Sequence, residues 1–230
     1  MYKKRYMLND FFNLIFPRLC NACNEVLLAN EKTICTSCIF TLPKTNYHLS
    51  QDNPLNKIFW GRVEVEMAVS FYSFTKGSRV QQLLHNLKYR GVKEVGVKIG
   101  ELYGYELKNS KVFQNIDFIV PIPLHKNKFK KRGYNQSEFF AIGLSRIMNI
   151  PINTSDFLRN MDSKTQTKKS RFKRWENVSN IFDLKEDSIL IEKNILIVDD
   201  VVTTGATMEA AIQVLKEYKC KVWVATIASA

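Results

Sequence analysis

The stretch NILIVDDVVTTGATMEAA, from Asn194 to Ala211, constrains the fold of this chain more than any other. Its opening run of Ile, Leu and Val does not alternate with polar residues. Such a run predicts a strand buried on both faces, as in a parallel sheet. The run ends in two acids, Asp199 and Asp200, followed by a turn rich in Thr around Gly205 and a helical pattern over 207–219. In an open parallel sheet, ligands bind beyond the carboxyl ends of the strands. The free N–H groups and dipole of a helix N-terminus provide a phosphate seat there. Gly205 permits the turn and a close approach, and the hydroxyls of Thr203, Thr204 and Thr207 add donors. The two carboxylates then stand beside the phosphate, placed for the vicinal hydroxyls of a sugar or for Mg2+. A ribose 5-phosphate satisfies all of these features together. No Walker A sequence is present, which excludes an ordinary P-loop site. The plainer alternative is a strand end with an acidic turn and a threonine cap.

The rest of the chain agrees with an α/β fold. Buried strands are expected at 116–124, 194–200 and 220–228, and one strand or a hairpin at the alternating stretch 62–74. Helical spacing predicts helices over 78–90, 94–109 and 135–149. Strands that alternate with helices build a parallel, doubly wound sheet. Gly96, Gly100 and Gly104 recur every four residues, which predicts a helix face packed closely on the sheet. Cys220 reads as a buried small hydrophobe in the last strand.

Four of the five cysteines form two C-x2-C pairs, Cys20/Cys23 and Cys35/Cys38. Two such knuckles supply the four thiolates of a closed, structural zinc site. Two disulfides are the alternative, disfavoured in a reducing compartment. The N-terminus starts basic and turns apolar, but Asn9, Asp10, Asn13, Pro17 and Arg18 interrupt or close the run, and no small-residue cleavage site follows. The expectation is a short amphipathic helix over Asn9–Phe16 and a cytoplasmic chain. No apolar run reaches the ~20 residues of a membrane span. Residues 1–42 are therefore expected to be a zinc module and 43–60, with Pro43 and Pro54, a linker.

The chain has a net charge of +12, and residues 121–175 hold thirteen Lys and Arg against three acids. One reading is a set of cations for a bound diphosphate, for which Arg132, Arg171 and Arg174 suit best through the guanidinium fork. The surplus, interleaved with Phe129, Tyr134, Phe172 and Trp175, also fits a single-stranded nucleic-acid groove, with Lys168, Lys173 and Trp175 as contacts. A solvated loop is the plain alternative.

ILIVDDVVTTGAT resembles the phosphoribosyl-diphosphate (PRPP) motif of type I phosphoribosyltransferases. VPIPLHKNKFKKRGYNQSEFFA (120–141), KTQTKKSRFKRWENVSNIF (164–182) and the cysteine pairs resemble the ComF family of competence-associated, phosphoribosyltransferase-like proteins. The resemblance covers nearly the whole chain and implies a phosphoribosyltransferase-like domain over 61–230. It assigns Asp199 and Asp200 to the ribose, and Thr203, Thr204, Gly205, Ala206 and Thr207 to the 5-phosphate. It places Pro123, Leu124 and His125 in the loop that meets the diphosphate. It also implies a mobile loop over about 159–177, with Gln166, Lys169, Arg171 and Arg174. Two functions follow. One is an enzyme in which a nucleophile attacks the anomeric carbon of PRPP while Mg2+ neutralises the leaving diphosphate. The other is a PRPP-sensing protein that handles single-stranded DNA, with the DNA-uptake machinery as a partner. No base-recognition segment can be aligned, so the acceptor is not specified.

Overall fold

The structure, a computed structural model, describes residues 16–159 and 181–230. All of the expected N-terminal helix except Phe16 lies outside them. In chain order come α1 (Thr36–Thr41), a 3-10 turn (Tyr47–Leu49), α2 (Pro54–Lys57), β1 (Met67–Ser73), α3 (Arg79–Tyr89), α4 (Lys93–Lys108) and β2 (Phe118–Pro121). Then follow α5 (Lys126–Arg132), α6 (Gln136–Met148), β3 (Phe157–Arg159), β4 (Phe182–Leu184), β5 (Asn194–Val202), α7 (Ala206–Glu217) and β6 (Lys221–Ser229).

The main sheet has the order β1-β6-β5-β2, with every pairing parallel. Strand β5 shows why its sequence has no alternation. Leu196 and Val198 enter a core shared with α3, α4 and α6, while Ile195 and Ile197 enter one shared with α7. Helices thus cover both faces, and each side of the strand needs apolar residues. The acids do not end the strand as expected: pairing continues from Asp199↔Thr226 to Val202↔Ser229. Strands β3 and β4 form a separate antiparallel pair.

Local signals set the helix ends. The Ser78 side chain accepts from the Gln81 N–H at the start of α3. Asn135 does the same for Ser137 at the start of α6, and Asn149 ends α6 in the left-handed region. The alternating stretch expected from residue 62 becomes a strand only at Met67, where the side chains turn fully buried.

The glycine stripe of α4 packs on a helix, not on the sheet as expected. A Cβ on Gly100 would overlap the Phe140 carbonyl of α6, and one on Gly143 would overlap the Val97 carbonyl of α4. Gly96 and Gly104 lie against Phe139 and Ile147 of the same partner. The sheet side of α4 is formed instead by Val95, Ile99, Tyr103 and Leu107, all fully buried.

Residues 43–60 hold two helical turns and are anchored to β1. Thr45 N–H donates to Phe71 O (3.0 Å), Ser73 N–H to Pro43 O (2.9 Å), and Lys44 bridges Tyr72 antiparallel. On the opposite edge of the sheet, Ile152 bridges Ile119 of β2, and Ile119 N–H donates to Pro151 O (2.9 Å). No helix of the described residues is long and apolar enough to cross a membrane.

Candidate functional site

Strand β5 lies inside the sheet and carries Asp199 and Asp200 to its carboxyl end. Both line a cavity of about 450 Å³ together with Lys88, Arg132, Arg159, Thr203 and Thr207. Asp199 Oδ1 accepts from Ser137 Oγ (2.7 Å) and from the Asp200 N–H (2.8 Å). Burial, and then the adjacent Asp200 carboxylate, push the Asp199 carboxyl up to about 7 against the opposing pull of Ser137 and Lys88. Asp200 is buried, with Lys88 Nζ 3.0 Å from its Oδ2. The ammonium approaches off the hydrogen-bonding direction, so Oδ2 has no hydrogen-bond donor among the described residues. Neither Ser137 nor Lys88 was assigned to the site from sequence. Ser137 lies within the quoted 120–141 motif; Lys88 carries no local signal beyond ending a helix.

The threonine turn makes a second, smaller recess of about 60 Å³, lined by Asp199, Thr203, Thr204, Gly205, Ala206 and Thr207. Gly205 has φ +78 and precedes α7 without capping it by a side chain, so the helix presents its first N–H groups to the recess. A Cβ at Gly205 would sit 2.7 Å from Ile58 Cγ2 and 3.3 Å from Phe59 Cε1. Arg62 Nη1 donates to the Thr204 carbonyl (3.0 Å), and its other nitrogen pairs with Glu209 of α7. The stretch after α2, residues 58–62, is thus the rear wall of the turn, a role that its sequence did not announce.

Pro123, Leu124 and Arg132 line the main cavity, joined by Lys128. His125 is not among the lining residues. Its Nδ1 accepts from the Asn127 N–H (3.2 Å) and caps the short helix α5. The histidine that lines the cavity is His85, beside Tyr89 of the same helix. The Arg132 guanidinium lies 5.2 Å over the Tyr89 ring and donates to Gln136 Oε1 (2.8 Å). Lys126, Lys128, Lys130, Lys131 and Phe129 of α5 are exposed. Tyr134 corrects the expectation of an accessible ring: it is buried, edge-on to Phe139, with its hydroxyl donating to Leu87 O. Gln166, Lys168, Lys169, Arg171, Phe172, Lys173, Arg174 and Trp175 lie outside the described residues.

The donor set of the two acids does not fit a resident Mg2+. Asp199 Oδ1 already accepts two donors, and an ammonium stands on Asp200 Oδ2. Mg2+ demands a near-octahedral shell of oxygens at about 2.0–2.1 Å.

Cys20, Cys23, Cys35 and Cys38 place their sulfurs within 4.8 Å of one another, and all are free thiols. Cys23 and Cys35 sulfurs are 3.8 Å apart. A tetrahedron with metal–sulfur bonds of about 2.3 Å has edges of about 3.8 Å. N–H groups of Ala22 and Cys35 point at Cys20 Sγ (3.4 and 3.2 Å), as suits a thiolate. The buried Glu31 braces the loop by accepting from the N–H groups of Leu28 and Thr36. The cluster fits a thiophilic metal such as zinc and leaves no ligand position open.

Residues 137–230, which include Ser137, both acids and the threonine turn, match the family described as Phosphoribosyl transferase domain. DNA utilization protein YhgH of Escherichia coli (strain K12) is 29% identical over 201 residues, 86% of this chain and 83% of that protein. Competence protein ComFC of Bacillus subtilis (strain 168) is 32% identical over 145 residues, 63% of this chain and 56% of that protein. The chain is similar in sequence to these proteins named for competence and DNA utilization. Among solved structures, a glutamine PRPP amidotransferase from B. subtilis overlaps 62% of this chain and 30% of its own, at a TM-score of 0.45 and 18% identity. The matched residues contain both acids and the threonine turn. Lys88, Arg132 and residues 58–62 stand outside the matched residues and line or back the two recesses, and the cysteine cluster also lies outside the match.

Proposed function

We propose that this chain binds PRPP in the cavity at the end of β5 and transfers its phosphoribosyl group to an acceptor. The observation that carries the reading is convergence: two carboxylates and a helix-initiating threonine turn meet in adjoining recesses. Asp199 and Asp200 would accept from the ribose hydroxyls. The first N–H groups of α7 and the hydroxyls of Thr203, Thr204 and Thr207 would hold the 5-phosphate. Lys128, Arg132 and Arg159 face the remaining space and would stabilise charge growing on the departing diphosphate. The acceptor nucleophile bonds to the anomeric carbon as the bond to diphosphate breaks. Residues 1–42 serve as a zinc-held module, 43–60 as its connector and 61–230 as the transferase-like part. A reducing compartment would keep the four thiols available to a metal, which favours the cytoplasm, and the competence and DNA-utilization names of similar proteins support a link to DNA uptake.

Calorimetry with PRPP tests this. Asp200→Ala and Thr204→Ala should each weaken binding, the first by about tenfold or more, since a charge-assisted hydrogen bond is worth roughly 1.5–3 kcal/mol. Parent-like affinity in both variants would place the site elsewhere.

A second reading, single-stranded DNA binding, rests on α5, which exposes Lys126, Lys128, Lys130, Lys131 and the Phe129 ring on one short helix. Binding should weaken with salt as counterions are released. Replacing Lys126, Lys130 and Lys131 with Ser should reduce the log–log salt slope by about 2, at about 0.7 per phosphate. Fluorescence anisotropy with a labelled oligonucleotide measures it. An unchanged slope would return α5 to the role of a solvated surface helix.

A further inference from the structure

Resting on the PRPP reading, we propose that Lys88 is the resident cation of the Asp199–Asp200 pair, closing it to a free divalent ion and keeping it for a ribose. Lys88 Nζ stands 3.0 Å from Asp200 Oδ2, and their side chains are only 22% and 7% exposed. An ion pair this enclosed is not easily opened by water. The lysine is also held from behind. It sits in the last turn of α3, where the negative end of the helix favours a cation. Its neighbour Leu87 is fully buried, and Asn86 donates to Asn21 O (3.1 Å), tying the helix to the cysteine module.

The other cations that line the cavity, Lys128, Arg132 and Arg159, make no ion pair with either acid. Arg159 donates to Pro123 O (3.4 Å) and lies over the Phe182 ring, and Arg132 donates to Gln136 and lies over the Tyr89 ring. Among the described residues, Lys88 alone makes an ion pair with either acid. Asp199 Oδ2 and both oxygens of Asp200 then have no hydrogen-bond donor among the described residues, which suits the hydroxyl groups of a sugar. A sugar diol donates two hydrogen bonds and brings no charge, so it leaves the lysine in place. A bare divalent ion would have to expel the ammonium from a partly buried site. The divalent ion of the reaction therefore enters with the substrate's diphosphate and not before it. Lys88 is in these terms a specificity-determining residue: it decides that the acids receive a sugar.

The test uses the full-length, zinc-loaded chain and Mn2+, followed by electron paramagnetic resonance without PRPP. In the parent, Asp200→Asn should leave Mn2+ binding unchanged. Lys88→Met should gain one Mn2+ site, about tenfold or more tighter than any in the parent, because a partly buried unit charge has been removed beside it. Combining Lys88→Met with Asp200→Asn should abolish that site, and Lys88→Arg should behave as the parent. Two results overturn the proposal: a parent Mn2+ site that Asp200→Asn removes, or a folded Lys88→Met that gains none. If Lys88→Met melts before it can be assayed, the parent against Asp200→Asn decides alone. Calorimetry with PRPP on the same samples separates the two ideas. A parent that excludes Mn2+ yet takes no PRPP supports Lys88 as the resident cation and removes the PRPP reading.

Discussion

Chelating the metal of the four-cysteine centre is expected to unfold residues 18–42 and to lower the melting temperature of the entire chain. Purified protein should contain close to one zinc per chain. Apart from cysteines, that segment buries only Ala22, Leu27, Ile34 and Leu42 among its hydrophobic residues. A buried Leu or Ile contributes about 1.5–3 kcal/mol, against about 1–2 kcal/mol for ordering the backbone of each residue. The module cannot hold itself together by packing. A structural zinc supplies about 10–16 kcal/mol of apparent binding free energy at neutral pH, and that energy becomes folding energy. The loss should spread, since Asn86 and Arg79 of α3 contact Asn21 and the Cys38 sulfur, and α3 carries Lys88 and His85 to the cavity. Each 1 kcal/mol lost from a chain of this size lowers the melting temperature by about 2–4 °C. Limited proteolysis and differential scanning calorimetry, with and without chelator, measure both effects. A chelated chain that resists protease within 18–42 and melts like the parent would show that the cysteines have no structural metal.

Gly205→Ala should cost most of the PRPP affinity, by well over an order of magnitude, and should also destabilise the chain. Two costs combine. The left-handed conformation at φ +78 charges an L-residue roughly 1–2 kcal/mol. The new Cβ, 2.7 Å from Ile58 Cγ2, forces a shift worth about 1–3 kcal/mol in a packed setting. Either response moves the turn away from the N-terminus of α7. The double variant Gly205→Ala with Ile58→Ala should recover the steric part and keep the backbone part, leaving an intermediate affinity. Parent-like binding by Gly205→Ala would mean that the turn does not hold the phosphate.

Much of this architecture was readable where one segment contains its own reasons. The strand, turn and helix around Asp199 carry apolar run, glycine and cap in a single stretch, and the cysteine spacing needs no partner to be interpreted. Legibility fails where the reason lies in a distant segment. The glycine stripe of α4 advertises a close approach but cannot say to what, and its partner, Gly143 of α6, lacks a stripe of its own. Tyr134 looked like an accessible ring among lysines, yet a carbonyl on α3 and the Phe139 ring claim it. Helix α5 escaped notice because its cap is an imidazole, outside the usual Ser, Thr, Asp and Asn set. Lys88 and Arg62 reach the site from 112 and 142 residues before the groups they contact, Asp200 and Thr204.

The short backbone bridges on both rims of the main sheet have a consequence for self-association. An uncovered rim offers a row of free amide and carbonyl groups on which a second chain can add a strand. Here Lys44 bridges the outer edge of β1 and Ile152 that of β2, which shortens the edge on which a second chain could add a strand. The guard at β1 belongs to the residues just after the cysteine module, not to the transferase-like part itself. Cutting the chain after Thr45 would strip it away, and the shortened protein would expose more of the β1 edge to strand addition even with its cavity untouched. The N-terminal segment thereby shields a sheet edge, a duty separate from that of its cysteines.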